Sequence, residues 1–284
     1  MSNIRQIKRR VKSVQNITQI TRAMEMVAAS KMKKTQENAV LGKPYAEKIY
    51  QATRELADHT EKKFHALLSL GNPAGKLLLV LISTNKGLCG SLNTNLLRMI
   101  YQWTKEENVD FVTLGKKGQS FVIRSGQNLL ADFSAKTPFR ENVSALTSLL
   151  VEGFVKGTYR EIYLAYNTFL SAFRQVPTKK IILPISSFVS LEKATGPYFS
   201  EFLVEPNITD VLENLLPHYL ENQVRAAILE AEACEQAARM MAMKNATEAA
   251  EDLMTELNLI YNKTRQEKIT NEIADMVTAR MAVE

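Results

Sequence analysis

Residues 208–283 read ITDVLENLLPHYLENQVRAAILEAEACEQAARMMAMKNATEAAEDLMTELNLIYNKTRQEKITNEIADMVTARMAV, with no glycine and one proline, Pro217. At about 1.5 Å per residue, one unbroken helix of this length would run to roughly 110 Å. Helices of globular domains usually span about 8–20 residues. We therefore predict a C-terminal helix over 207–284 that needs a partner helix along much of its length.

Apolar residues recur along this stretch at spacings of three and four, as expected of a seam against another helix. A seam with a repeat near 3.5 residues winds into a left-handed coiled coil. The predicted seam comprises Val211, Leu215, Tyr219, Val224, Ile228, Ala231, Cys234, Ala238, Met241, Leu253, Leu257, Ile260 and Thr264. A helix facing a globular core would show the same spacing, so length is what favours the coiled coil.

The first 63 residues predict the partner helix, with a break near 42–44. Proline lacks an N–H and disfavours helix in the residue before it, which makes Pro44 the point of interruption. The predicted apolar stripe comprises Ile4, Ile7, Val11, Val14, Ile17, Ile20, Met24 and Val27.

The two terminal segments have opposite charge. Residues 1–34 hold nine Lys or Arg and one acid, Glu25, whereas residues 208–284 hold seven basic and fourteen acidic side chains. Pairing a basic helix with an acidic one is favourable, although each exposed ion pair contributes only about 0.2–1 kcal/mol. If the middle of the chain forms one domain at one end, the pairing is antiparallel.

The middle of the chain, 76–190, alternates short apolar runs with helical patterns. This alternation predicts a small doubly wound, mostly parallel α/β domain. The predicted strands are 77–82, 111–114, 129–133, 161–166 and 180–183, and the predicted helices are 91–107 and 141–156.

The sequence offers no catalytic, cofactor or metal motif. The glycine loops TNKGLCGS (84–91) and GKKGQS (115–120) match neither GxGxxG nor GxxxxGK[ST]. Cys89 and Cys234 lie far apart and predict reduced intracellular thiols. No apolar run approaches the roughly 18 residues of a membrane span. We therefore expect a non-catalytic chain with no membrane span.

Several stretches resemble the gamma subunit family of F-type ATP synthases, the central rotor shaft. They occur in the family's order and extend over essentially the whole chain. The matching stretches are ITQITRAMEMVAASKM (17–32), KGLCG (86–90) with Asn93, EQAARMMAMK (235–244), YNKTRQ (261–266) and ITNE (269–272). Where the family has an aspartate before the KGLCG loop, this sequence has Asn85.

The resemblance implies a shaft that performs no chemistry and binds no cofactor. Its coil would stand inside a ring of three α and three β subunits, which carry the nucleotide sites. Its foot would contact the epsilon subunit and the membrane ring of c subunits, which proton flow turns. With no import presequence visible, we expect a peripheral protein on the cytoplasmic face of the bacterial inner membrane.

Contact residues also follow from the resemblance. Arg265 and Gln266 match the pair that hydrogen-bonds an acidic loop of a β subunit, and Met24 matches a position facing the β lever region. The other matching positions are Phe202 and Glu205 at the foot, facing the c ring, and Met276, Val277 and Met281 in the apolar sleeve at the top. For Arg265 and Met24 the residues alone allow a second interpretation, as ordinary positions packed on the coil.

Two other classes of function compete with this interpretation. A nucleic-acid-binding coiled coil could set the basic N-terminal helix against phosphates, with affinity falling steeply as salt rises. That helix carries an apolar stripe and, over 1–34, no aromatic residue for base stacking. A synthetase-like enzyme with a helical arm would need a phosphate loop, which the sequence does not provide.

Overall fold

The computed structural model describes residues 4–58, 65–105, 107–135, 137–185, 205 and 207–281. Five α-helices, five strands and one short 3-10 helix lie in these ranges. In chain order they are α1 (Ile4–Asp58), β1 (Lys76–Ile82), α2 (Leu92–Trp103), β2 (Val109–Leu114), α3 (Lys116–Arg124), β3 (Asn128–Asp132), the 3-10 helix (Phe139–Asn142), α4 (Val143–Val155), β4 (Tyr159–Phe169), β5 (Gln175–Leu183) and α5 (Ile208–Met281).

The strands form one sheet in the order β3-β2-β1-β4-β5. β1 pairs in parallel with both β2 and β4, and β2 pairs in parallel with β3. β5 returns antiparallel to β4 as a hairpin. The chain adds β2 and β3 on one side of β1 and then crosses over to add β4 and β5 on the other side. The predicted doubly wound, mostly parallel sheet is therefore confirmed.

β1 explains why the sheet has helices on both faces. Its side chains alternate between two apolar layers, since successive residues of a strand point to opposite faces. One layer holds Leu78, Val80 and Ile82 with buried residues of α4 and α5, and with Ile49 and Leu56 of α1. The other holds Leu77, Leu79 and Leu81 against α2 and α3. An uninterrupted apolar strand therefore requires two covering layers.

A buried carboxylate, that of Asp110, links the N-terminal ends of the four parallel strands. Asp110 is only 4% exposed. Its Oδ1 accepts a hydrogen bond from Asn128 Nδ2 at 2.8 Å and lies 3.4 Å from Lys76 Nζ, while its Oδ2 accepts from Tyr159 Oη at 3.3 Å. Burial, together with Asp110, raises the pKa of Tyr159 to about 12. The phenol therefore remains a donor at neutral pH.

The predicted break near 42–44 is wrong, because α1 is continuous from Ile4 to Asp58 with Pro44 inside it. Downstream of Pro44, Ile49 and Leu56 are buried in the core of the sheet. Most helix stability in proteins comes from packing of one face and not from propensity. The packing thus offsets the hydrogen bond that Pro44 cannot donate. Residues 59–63, predicted to continue this helix, lie outside the described residues.

The chain packs as two units. The sheet unit comprises Ser30–Ala238, and the helix-pair unit comprises Met1–Ala29 with Arg239–Glu284. α1 and α5 each contribute to both units, so the units do not follow the predicted segments 1–63, 76–190 and 207–284. Those segment limits follow secondary structure and stay predictions.

Within the helix-pair unit the two helices are antiparallel, and their seam is partly polar. Thr21 Oγ1 lies 2.7 Å from Thr247 Oγ1, and both hydroxyls are buried. Val14 packs with Ala250 and Leu257.

The predicted stripes are partly wrong in this unit. Ile17, Ile20, Val27 and Leu253 are exposed. Thr21, Thr247 and Ala250 share the seam with the predicted Val14 and Leu257, because small side chains let two helices approach closely.

Candidate partner-contact surfaces

The C-terminal part of α5 carries the predicted Arg265 and Gln266, and both side chains are exposed. In the antiparallel seam, Thr21 of α1 lies beside Thr247 of α5. Because the helices are antiparallel, residues nearer the start of α1 lie beside residues nearer the end of α5. The described part of α1 begins at Ile4. α5 therefore extends past the described part of α1 near Arg265, and the exposed Arg265 guanidinium is accessible for an external carboxylate.

Beyond Arg265 the apolar side chains of α5 are open to solvent. Met276 is 68% exposed and Met281 is 74% exposed, and Val277 is exposed beside them. Ile269 and Ile273 add to the same stretch. Soluble monomers rarely expose contiguous apolar surface without a partner, so this stretch has the character of an interaction surface.

α1 presents a second apolar surface, and three of its residues, Ile17, Ile20 and Val27, belong to the stripe predicted for the seam. Ile17, Ile20, Met26 and Val27 are exposed, whereas the predicted contact residue Met24 is half-buried. The sequence does hold a sign of this exposed surface, because α1 has more apolar residues between 17 and 27 than one narrow seam can bury.

The predicted foot is described only in part. Glu205 is exposed and lines a surface cavity of about 430 Å³ with residues of the first turns of α5. Those residues are Asp210, Val211, Asn214, Leu215 and His218. Phe202, the other predicted foot residue, lies outside the described residues.

The glycine loop after β1 has its polar groups committed within the fold. Asn85 Oδ1 accepts a hydrogen bond from Lys116 N at 2.9 Å, and Asn85 Nδ2 donates to Ser134 O at 3.1 Å. Lys117 N donates to Thr84 O at 3.1 Å. The amides at the start of α3, which would bind a phosphate in a nucleotide site, are thus engaged by the loop.

A glycine is required at position 115, between β2 and α3. Its φ is +109°, and a Cβ there would lie 2.2 Å from Ser83 O. Close approach of two backbones therefore explains the glycine without any ligand.

Leu88 in the same loop has φ +62° and is 62% exposed. A left-handed backbone costs a non-glycine residue roughly 1–2 kcal/mol. The fold therefore holds a large apolar side chain in solvent at an energetic cost, and strained backbone positions of this kind cluster at functional sites.

The described helices include none that is both long enough and apolar enough to span a membrane. Within the same residues, no group of three or more His, Cys, Asp or Glu side chains is arranged to hold a metal ion.

Comparison with known proteins defines the family. The family model described as ATP synthase matches residues 3–283. An ATP synthase gamma chain of Dehalococcoides mccartyi (strain ATCC BAA-2266 / KCTC 15142 / 195) is 40% identical over 289 residues, covering all of both chains. An ATP synthase gamma chain of Legionella pneumophila (strain Corby) is 37% identical over 290 residues, again covering all of both chains.

Solved structures agree with the fold. A chain from the central stalk and c-ring of the Tetrahymena thermophila mitochondrial ATP synthase has a TM-score of 0.59 at 27% identity, covering 80% of this chain and 99% of that one. A chain from the rotor of the Euglena gracilis mitochondrial ATP synthase has a TM-score of 0.65 at 20% identity, covering 94% of this chain and 98% of that one.

A paired helix unit joined to a doubly wound sheet, with its exposed surfaces on the helices, is the architecture of a stalk subunit. The chain belongs to the ATP synthase family, and within it to the gamma chains. It is therefore a non-catalytic subunit of the central stalk of an F-type ATP synthase, as the sequence resemblance predicts.

Proposed function

We propose that this chain is the turning shaft that couples a ring of c subunits to the three catalytic β subunits of the head, with the epsilon subunit beside it at the foot. The observation that carries the proposal is the exposed apolar stretch of α5 beyond Arg265, where α5 extends past the described start of α1. A surface of this kind fits an enclosing apolar sleeve, and Met276, Val277 and Met281 are assigned to it.

Arg265 and Gln266 would bind an acidic loop of one β subunit. The two adjacent side chains offer donors for a carboxylate, and the planar guanidinium can bind it through two N–H groups. Met24 is half-buried next to the exposed Met26 and Val27, and it would face the lever region of β. Phe202 and Glu205 are assigned to the c-ring contact at the foot.

The bacterial relatives support a peripheral location on the cytoplasmic face of the bacterial inner membrane. The alternative of nucleic-acid binding has less support, because the exposed part of α1 carries apolar side chains among its basic ones.

Co-expression with the α and β subunits of the same organism tests the proposal. One copy of this chain is expected in a complex with three α and three β subunits, with ATP hydrolysis gained on its addition. Failure to associate with correctly folded α and β subunits would contradict the shaft assignment.

The Arg265 assignment has its own test. Arg265→Ala is expected to weaken binding to the α–β assembly about tenfold or more, because truncating one partner of a buried charge pair leaves the other unpaired. Lys268→Ala is the matched control, since Lys268 is an exposed residue of the same helix and pairs with Glu272 at 3.5 Å. Equal affinities of the two variants would remove Arg265 from the contact.

A further inference from the structure

The contact between α5 and the sheet combines an apolar face with a small set of directed polar contacts. Leu216, Leu220, Val224 and Ile228 follow one another at intervals of four residues and are fully buried against the sheet. Apolar attraction is non-directional and roughly proportional to area. A face of similar side chains at equal spacing can therefore shift by one helical turn and recover much of its contact.

Three polar side chains on α5 contact the hairpin of β4 and β5. Lys180 Nζ donates a hydrogen bond to Gln223 Oε1 at 2.7 Å. The backbone N–H of Phe169 donates to Glu230 Oε1 at 3.0 Å. Cys234 Sγ donates to the backbone carbonyl of Asn167 at 3.0 Å. Gln223, Glu230 and Cys234 follow each other at intervals of seven and four residues, so they lie on one side of the helix.

Two of these contacts, those of Glu230 and Cys234, are made at the cost of burying a polar group. Burial raises the pKa of Glu230 and raises that of the Cys234 thiol to about 12. The thiol therefore remains protonated and can donate. Polar groups in an apolar interface cost free energy unless they are paired, and apolar replacements of similar volume are often as stable or more so. The clearest physical advantage of the three polar contacts is that they fix one position of α5 on the sheet, because each contact is lost if the helix turns or slides.

We infer that Gln223, Glu230 and Cys234 form a clamp that prevents α5 from turning or sliding on the sheet, so that a turning force applied to the sheet unit passes into α5 without slip. The inference rests on the proposed shaft function. Glu230 is the central residue of the clamp, because its carboxylate holds a backbone amide at the end of β4 and also lies near Lys180 and Tyr166. These are positioning residues and contact no substrate.

The test uses the assembled synthase in sealed vesicles and compares ATP-driven proton pumping with ATP hydrolysis. Glu230→Leu removes the acceptor at similar volume, whereas Glu230→Gln keeps an acceptor oxygen for Phe169 N–H. Ser144→Ala is the control, since Ser144 Oγ donates to Glu221 Oε1 of α5 at 2.8 Å on the exposed surface, outside the clamp.

The clamp predicts that Glu230→Leu assembles and hydrolyses ATP but pumps fewer protons per ATP, while Glu230→Gln and Ser144→Ala keep the wild-type ratio. Hydrogen exchange at the Phe169 amide should become about tenfold faster in Glu230→Leu only. A purely structural role would lower assembly and leave the ratio of pumping to hydrolysis unchanged.

An unchanged ratio in an assembled Glu230→Leu enzyme would overturn the inference. If that variant does not assemble, Lys180→Met is measured in its place. It removes the donor to Gln223 and the positive charge near Glu230, but it leaves the acceptor for the Phe169 N–H in place, and an unchanged ratio there is equally decisive. Failure of the unsubstituted chain to assemble or pump would instead contradict the shaft function itself. The two failures are thus distinguishable.

Discussion

The sheet unit and the helix-pair unit differ in how completely each buries its own apolar side chains. In the sheet unit every residue from Leu78 to Leu81 is fully buried, and apolar layers cover both faces. In the helix-pair unit the seam is narrow and partly made of threonine, while large apolar side chains such as Ile20 and Met276 remain in solvent. One unit has a core of its own, and the other has the surface of a component that is completed by partners.

The largest expected effect lies in the sheet unit. Leu79→Ala removes a fully buried side chain and should cost about 2–5 kcal/mol of unfolding free energy, because the cavity cannot collapse. Urea unfolding followed by the fluorescence of Trp103, the single tryptophan, reports on this unit.

Ile269→Ala in the exposed part of α5 is the matched comparison. It should leave that transition unchanged and weaken only binding to the α–β assembly. Comparable destabilisation by both substitutions would abolish the distinction between the units.

A smaller loss of stability is expected when Asp110, at the N-terminal ends of the parallel strands, is replaced. Asp110→Ala should cost about 1–3 kcal/mol, because the buried Tyr159 hydroxyl loses its acceptor and Asn128 loses its partner at the more exposed end of β3. The same Trp103 transition measures it, with Asp275→Ala as an exposed acidic control. A loss no larger than that of the control would show that the polar contacts around Asp110 are not needed for the stability of this unit.

The sequence predicted the sheet well where side-chain pattern decides structure. A short, wholly apolar run such as 77–82 is typical of a strand covered on both faces, and such a strand lies in the interior of the sheet. The predicted limits of β4 and β5 were too short, because both strands continue into polar residues such as Thr168 and Thr178, whose hydroxyls bond each other across the hairpin at 2.8 Å. Cross-strand pairing of this kind is invisible in one strand's sequence.

The helix-pair seam was harder to predict from hydropathy. A pattern of apolar residues identifies surfaces that avoid water, but it does not distinguish the partner helix from a partner protein. Hydropathy therefore favours Ile17 and Ile20 for the seam, whereas the structure buries Thr18 and Thr21 and exposes both isoleucines. The Pro44 break failed for a related reason, since packing of Ile49 and Leu56 on the sheet is not local information. For the contact residues, Arg265 was identified by family resemblance alone.

A smaller effect is expected from the polar contact between Thr21 and Thr247 in the seam. Thr21→Val and Thr247→Val should each destabilise the helix pair, and the double variant should lose less than the sum, with a coupling of about 0.5–1.5 kcal/mol. Thermal unfolding followed by helical circular dichroism gives the four values needed.

Thr255→Val is the control, because Thr255 Oγ1 donates only to Glu251 O of its own helix in an exposed position. Additive effects of Thr21→Val and Thr247→Val would mean that the contact between the two hydroxyls contributes nothing to pairing.

The smallest expected effect appears only at alkaline pH. Tyr159 has its pKa raised from 10.0 to about 12 in the folded chain. The folded state therefore holds this proton more tightly than the unfolded state. The resulting stabilisation is complete below pH 10 and is lost as pH rises through about 12. Trp103-detected unfolding across this range should show a fall that is shallower in Tyr159→Phe.

Tyr101→Phe is the corresponding control, because Tyr101 is an exposed tyrosine of the same unit. Identical alkaline profiles for the wild type and Tyr159→Phe would show that the buried phenol does not govern this loss.

The pairing of Thr21 with Thr247 also has a consequence for the order in which the molecule forms during translation. The two residues are 226 positions apart. At about 5–20 residues per second, a ribosome needs roughly 10–45 seconds between them. The five described strands lie between the two residues in sequence. The sheet can therefore form before the part of α5 that pairs with α1 has been synthesised. During that interval the apolar face of α1 is open to chaperones, and the shaft is the last part of the protein to be completed.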